Sequence, residues 1–290
     1  MSHSRSRLFL IKILFIFFGL WVGSEMICAI EKSGNLTISS WVGKFPVIVI
    51  AHRGFSGSAP ENTLAAFRKA IETGSDMIEL DVHLSKDGEV VVIHDDTLDR
   101  TTNGMGKVAH YTLKELKELD AGSWFGTQFS GEKIPTLRDA LELTRGHVFL
   151  NIELKRGDHG QYTMLDLADR ALEEVGKAGM LDQVLFSSFD PFGLERIKEK
   201  NSRIPVALVF NTAWRSPQEV TGGGHFSILN CQKSVLTEAN LSKAHQEGIK
   251  INVYTLNTEE EIERYLTMGV DGIITDHPDR LIKILQKRYR

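Results

Sequence analysis

Cysteine is nearly absent from this chain: only Cys28 and Cys231 occur, which excludes a disulfide-stapled scaffold. If the segment carrying Cys28 is removed, no intramolecular disulfide is left. At 290 residues the core is large enough to do without one. Cys231 stands in an apolar stretch and reads as a core residue rather than a nucleophile. A basic excess is also missing. Lys and Arg number 34 against 38 Asp and Glu, a net charge of −4 that argues against a nucleic-acid partner. There is no low-complexity tract and no internal repeat. The apolar run over 13–22 falls well short of the roughly 20 residues a spanning helix needs.

That run has a basic flank, Arg5, Arg7 and Lys12, and is followed by Gly23, Ser24 and Glu25. A basic stretch, a short apolar core and small residues describe a secretory signal over 1–29, with a linker over 30–44. The protein is therefore expected outside the cytoplasm, periplasmic or secreted. The alternative is a retained anchor over 8–30, despite Lys12 and Glu25. A lipoprotein reading of Cys28 is disfavoured, because Glu25-Met26-Ile27 lack the small residue such processing prefers.

From Phe45 onward, short apolar runs alternate with amphipathic stretches. The runs lie at 47–51, 77–82, 148–154, 184–187, 206–210, 226–230, 251–256 and 272–275. Helical patterns fall between them, for example at 63–73, 136–144, 162–178 and 258–268, and Gly74, Gly179, Gly248 and Gly269 stand where C-caps belong. Eight βα units in a row predict an α/β fold, a parallel (β/α)₈ TIM barrel over 45–290. One further run, 90–93, follows Asp87-Gly88, a hairpin signal. It reads as an antiparallel return that brings His94 beside Asp81. The segment from about 83 to 135 then becomes a small insertion after the second strand, with a helix at 112–119.

Alternate residues of a strand share a face. Glu79 and Asp81 therefore lie opposite Ile78, Leu80 and Val82, and Asn151, Glu153 and Lys155 lie opposite Ile152 and Leu154. In a barrel the polar face points inward, toward the end where such enzymes do their chemistry. Three crowded carboxylates need a compensating cation. Oxygen ligands suit one hard divalent ion, Mg²⁺ or Ca²⁺, over zinc. His52 and His94, at strand ends on the same site, are suited to act as base and acid in phosphodiester cleavage. His94 is taken as the acid and His52 as the base, and swapped roles fit equally well. Arg53 offers a planar fork to phosphate and Lys155 a point charge, or else a salt bridge to Glu153. His83 is read as facing substrate or solvent, Trp124-Phe125 as lining the mouth or stapling the insertion, and Asp276-His277-Pro278 as structural capping.

These residues resemble the glycerophosphodiester phosphodiesterase family. The resemblance rests on His52-Arg53-Gly54, Pro60-Glu61-Asn62-Thr63, Glu79-Leu80-Asp81-Val82, Asp87-Gly88, Val92-Ile93-His94-Asp95 and Asn151-Ile152-Glu153-Leu154-Lys155. It extends through Asp99-Arg100-Thr101-Thr102-Asn103-Gly104 to Gly269-Val270-Asp271-Gly272, roughly 47–281. It implies a barrel with a small insertion and hydrolysis of glycerophosphodiesters to glycerol-3-phosphate and an alcohol. It places metal ligands on Glu79, Asp81 and Glu153 and catalytic histidines on His52 and His94. Arg53 would bind phosphate, with Glu61 holding Arg53 or the site edge. A mechanism proposed for the family has the glycerol 2-hydroxyl attack phosphorus before water opens the cyclic phosphate. Where the family often carries tryptophan, this chain has Tyr254, a smaller aromatic wall that leaves the alcohol undetermined. Two alternatives are kept. One is the same chemistry on lysophospholipids at a membrane, using Trp124, Phe125 and Phe129 as an apolar groove; the other is headgroup binding without turnover.

Overall fold

The computed structural model describes residues 45–222 and 226–289, so the N-terminal segment, the linker and Cys28 lie outside the described residues. The first half of the chain runs β1 (Ile48–Ala51), α1 (Leu64–Thr73), β2 (Met77–Leu84), β3 (Val90–Val92), α2 (Leu113–Glu118), α3 (Leu137–Thr144), β4 (Phe149–Leu154) and α4 (Met164–Lys177). It continues through β5 (Val184–Ser188), α5 (Pro191–Lys200), β6 (Val206–Phe210), α6 (Pro217–Thr221) and β7 (Ile228–Gln232). The last part is α7 (Glu238–Gln246), β8 (Lys250–Tyr254), α8 (Glu259–Met268), β9 (Gly272–Thr275) and α9 (Pro278–Arg288).

Threonine starts many of these helices. Thr63 accepts from the Ala66 backbone N–H, and Thr112, Thr136, Thr163, Thr237 and Thr258 each form a reciprocal capping box. Such caps satisfy backbone donors that would otherwise be orphaned at the strand-to-helix turns. Gly74 and Gly269 close α1 and α8 in the left-handed conformation, while Gly179 and Gly248 fall one residue past the caps Ala178 and Glu247.

The strands pair in the order β1-β9-β8-β7-β6-β5-β4-β2, and β1 returns to β2, closing an eight-stranded parallel barrel. Helices lie between the strands, so the fold is the (β/α)₈ TIM barrel that the pattern predicts. β3 is the ninth strand of the sheet and pairs antiparallel to β2, Val82 opposite Val92, as the Asp-Gly turn implies. The outward faces of β2 and β4 bury Ile78, Leu80, Val82, Ile152 and Leu154 against Phe67, Leu137, Leu141 and Leu167 of the surrounding helices. Inside the barrel, Ile50, Met77, Phe149, Leu185, Ala207 and Ile274 form an apolar floor. The segment after β3 has its own small core of Val91, Ile93, Leu98, Val108, Leu116, Ala121 and Ile134.

Two strands differ from their expected bounds at both ends, while others differ by one or two residues at one end only. The run at 226–230 is paired as Ile228–Gln232, and that at 251–256 as Lys250–Tyr254. Asn230 and Asn252 lie opposite each other, and the Asn252 amide donates to Asn230 at 2.9 Å, which holds this register. Phe226 precedes the strand yet is 6% exposed, so its apolar character reports the core rather than the ladder. Cys231 is fully buried and its thiol is pushed up to about 12 by desolvation, in keeping with a core role.

Candidate active site

The register of β2 and β4 sets Glu79 opposite Asn151 and Asp81 opposite Glu153, so three carboxylates share the inner face of the barrel. Their oxygens lie within 4.8 Å of one another. All three residues are buried, at 3%, 1% and 9% exposed. Above the apolar floor they form one wall of a cavity of about 430 Å³. Every candidate site residue except Glu61 lines it.

Charge in this cavity is only partly balanced. Lys155 Nζ lies 2.8 Å from Glu153 and 3.2 Å from Asp81, so the alternative salt bridge to Glu153 forms while the ammonium still faces the cavity. Arg53 Nε is 3.5 Å from Asp81. Asn62 donates to Asp81 at 2.8 Å and accepts the Asp81 backbone N–H at 3.2 Å. Burial opposes ionisation of Asp81, but Lys155 and Arg53 outweigh it and hold the group below the usual carboxylate range. Glu79 is pushed the other way, first by burial and then by repulsion from Asp81 and Glu153. A buried triad of oxygen donors with uncompensated negative charge fits a hard divalent cation.

Arg53 and Gly54 make the turn that leaves β1, with φ of 55° and 80°. In this turn the Arg53 backbone N–H donates to Glu79 at 2.8 Å. Non-glycine residues uncommonly hold such a conformation, and those that do cluster at functional sites. A Cβ on Gly54 would come within 2.8 Å of the Ala66 backbone, besides being strained at this φ. Gly54→Ala should therefore destabilise the fold by more than about 1 kcal/mol and displace Arg53. Thermal unfolding and KM together check this, and an unchanged Tm with unchanged KM would count against it.

Each histidine is held through Nδ1. His94 Nδ1 is 2.6 Å from Asp95 Oδ1, and His52 Nδ1 is 2.6 Å from Asp276 Oδ1. Asp276 also accepts from Ser56 at 3.0 Å and from the Asn257 amide at 2.6 Å. Burial opposes its ionisation, but the His52 contact outweighs it and keeps Asp276 below the usual range. An ionised carboxylate only accepts, so Nδ1 of His52 carries the proton and Nε2 is left for the site, 4.0 Å from Glu79. Glu61 stands back from the cavity and takes a hydrogen bond from Arg53 Nη1 at 2.7 Å. Tyr254 presents its ring to the cavity while its hydroxyl donates to the Phe210 carbonyl at 3.0 Å.

The expectation for His83 changes, and two others narrow. Capping of α9 falls to His277 at the N-cap and Pro278 in the first turn, while the Asp276 carboxylate turns to His52 because β9 pairs with β1. His83 faces neither substrate nor solvent. It is 1% exposed, is depressed to about 4 by burial, and its Nε2 meets the His94 carbonyl at 3.1 Å. Trp124 and Phe125 do not line the cavity; they pack edge-to-face, and Phe125 packs on Phe129. Unforeseen lining comes from Val209, Asn230 and Gln232 on the far strands and from Phe189 and Lys233 just past the ends of β5 and β7. Asn230 and Gln232 share the inward parity of their strand; Asn230 falls within the expected run, whereas Gln232 lies beyond its end.

Residues 52–280 match the glycerophosphoryl diester phosphodiesterase family. A glycerophosphodiester phosphodiesterase of Caldanaerobacter subterraneus subsp. tengcongensis is 39% identical over 242 residues, covering 83% of this chain and 98% of the relative. One from Bacillus altitudinis is 37% identical, with coverage of 82% and 98%. Among solved structures, an Oleispira antarctica phosphodiesterase in complex with the product sn-glycerol-3-phosphate is similar at a TM-score of 0.78 and 33% identity, over 83% of this chain and 97% of that one. The glycerophosphodiester phosphodiesterase of Agrobacterium tumefaciens gives a TM-score of 0.69 at 32% identity, over 82% and 99%. Barrel, acidic triad and sequence likeness agree, and the chain belongs to the glycerophosphoryl diester phosphodiesterase family.

Proposed function

We propose that this protein hydrolyses glycerophosphodiesters to glycerol-3-phosphate and an alcohol, with His52 and His94 transferring protons and Glu79, Asp81 and Glu153 holding one Mg²⁺ or Ca²⁺. The observation that carries the reading is the pair of carboxylate-held imidazoles in the same cavity as the buried acidic triad. The product held by the similar Oleispira antarctica protein supports the identity of the phosphate fragment.

A bound divalent cation supplies Lewis-acid polarisation of the phosphoryl group. The chain's own residues do the rest. Arg53, held by Glu61, grips phosphate oxygens with its guanidinium, and Lys155 adds a second positive charge on the triad side. His52, whose Nδ1–H is held by Asp276, takes a proton at Nε2 from the attacking glycerol 2-hydroxyl and returns it to that oxygen when water opens the cyclic phosphate. His94, held by Asp95, delivers one to the departing alkoxide and then recovers one from the water that opens the cyclic phosphate. Phe189 and Tyr254 contribute apolar wall beside these charges and limit water in the cavity.

Small soluble diesters fit better than lysophospholipids, since Trp124, Phe125 and Phe129, the groove such lipids would need, do not border the cavity. Two proton-transfer dyads favour turnover over headgroup binding alone. Action outside the cytoplasm rests on the N-terminal basic and apolar pattern. Among the described residues, no helix is long and apolar enough to cross a membrane. Metal-replete protein should release glycerol-3-phosphate from glycerophosphocholine or glycerophosphoethanolamine. Absence of release from folded, metal-replete protein overturns the reading, and release from lysophosphatidylcholine alone transfers it to the lipid substrate.

A further inference from the structure

Arg100 belongs to the turn that follows β3, outside the barrel's eight strands. Its neighbours anchor that turn. Leu98 is fully buried in the small core, its N–H donates to Gly106 at 2.9 Å, and Thr102 donates back to the Leu98 carbonyl through both N–H and hydroxyl, at 3.1 Å and 2.7 Å. The guanidinium is thus delivered from a fixed base. It makes four hydrogen bonds to two carboxylates: Nη1 and Nη2 to the two oxygens of Glu61, each at 2.8 Å, and Nε and Nη2 to those of Asp95, at 2.7 Å and 3.2 Å. Those carboxylates are the ones that hold Arg53 and His94, at 2.7 Å and 2.6 Å.

We infer that Arg100 is a positioning residue that locks the phosphate-gripping Arg53 and the proton-transferring His94 into one geometry, through Glu61 and Asp95. The inference rests on the proposed roles of Arg53 and His94. Asp95 is held at about 2, with the Arg100 contact as the largest cause, so the carboxylate stays ionised and oriented while His94 works against it. A fold-stabilising role accounts poorly for this arrangement. The Arg100 side chain is 44% exposed, and ion pairs so open to solvent contribute little to stability. A single ammonium cannot replace the fork, because it cannot pair both oxygens of two carboxylates at once.

The test is steady-state kinetics on the full, metal-replete protein with glycerophosphocholine. Arg100→Ala should keep its Tm and its metal affinity yet lose about tenfold to a hundredfold in kcat/KM, as misplacement of about 1 Å does in other active sites. The loss should divide, with KM raised through Arg53 and kcat lowered through His94. Within an Asp95→Asn background, removing Arg100 should still raise KM but leave kcat unchanged, because the route to His94 is already cut. Arg100→Lys should restore one of the two parameters and not both. KM and kcat within twofold of wild type would overturn the inference. So would a fall in kcat alone that tracks a lowered Tm, full recovery by lysine, or additive losses in the double variant. His94→Ala and Arg53→Ala run alongside: activity retained there removes the site reading itself, whereas their loss beside an unaffected Arg100→Ala removes only the lock.

Discussion

Alanine at His52 or at His94 should lower kcat by about 10²–10⁴, the range for loss of a general acid or base and equivalent to about 2.7–5.4 kcal/mol of barrier. The size follows from the geometry. Each imidazole is held at Nδ1 by a carboxylate 2.6 Å away, so its tautomer and direction are set before substrate arrives. Neither replacement should unfold the protein. The His52 and His94 side chains are 19% and 29% exposed, and Asp276 keeps Ser56 and Asn257 when His52 is gone. Asp276→Asn should bring a part of the His52→Ala loss, because an amide no longer dictates which imidazole nitrogen carries the proton. In a His52→Ala background the same change should cost almost nothing, since Asp276 acts through that ring. A His52 or His94 variant that turns over within a few-fold of wild type sinks the assignment for that residue.

Stripping the protein with a chelator should abolish glycerol-3-phosphate release, and Mg²⁺ or Ca²⁺ should restore it. The stripped protein should remain folded, because Lys155 lies 2.8 Å from Glu153 and 3.2 Å from Asp81 and offsets part of the crowding. Readdition at a hundred times Kd should stabilise by about 2.7 kcal/mol, or about 5–10 °C in Tm for a domain of this size. Glu79→Gln keeps the shape of the side chain and removes one of three crowded charges. Its stripped form should be at least as stable as wild type, yet the Tm gain on adding metal should vanish. Full turnover in demonstrably metal-free protein would end the metal assignment.

The parts of the site that could be read from the chain are those that local periodicity controls. Glu79 with Asp81, and Asn151 with Glu153 and Lys155, follow from alternation along β2 and β4, and Asp87-Gly88 announces the return that carries His94. Threonines before apolar-periodic stretches mark the helix starts, as at Thr63, Thr136 and Thr258. The hidden parts depend on closure. Asp276 meets His52 across 224 residues because the last strand pairs with the first, and no local pattern reports that. The offset of β7 has a different origin: 226 and 228 have the same parity, so moving the strand by two residues leaves its inward face unchanged. Core burial of Phe226 extends the apolar run without extending the ladder.

The position of β3 has a consequence for how this enzyme can diversify. His52 stands on the barrel, whereas His94 and Asp95 arrive on a strand and turn with a separate small core behind them. The two groups proposed to transfer protons thus sit on separate pieces of chain, tied to one another by Arg100 across Glu61 and Asp95. Exchange of the segment after β2 would replace His94 together with its support and leave the acidic wall in place, provided the new segment restores a partner for Glu61. On the proposed roles, the group facing the leaving alcohol and the groups facing the cation belong to separate parts of the fold joined along one seam.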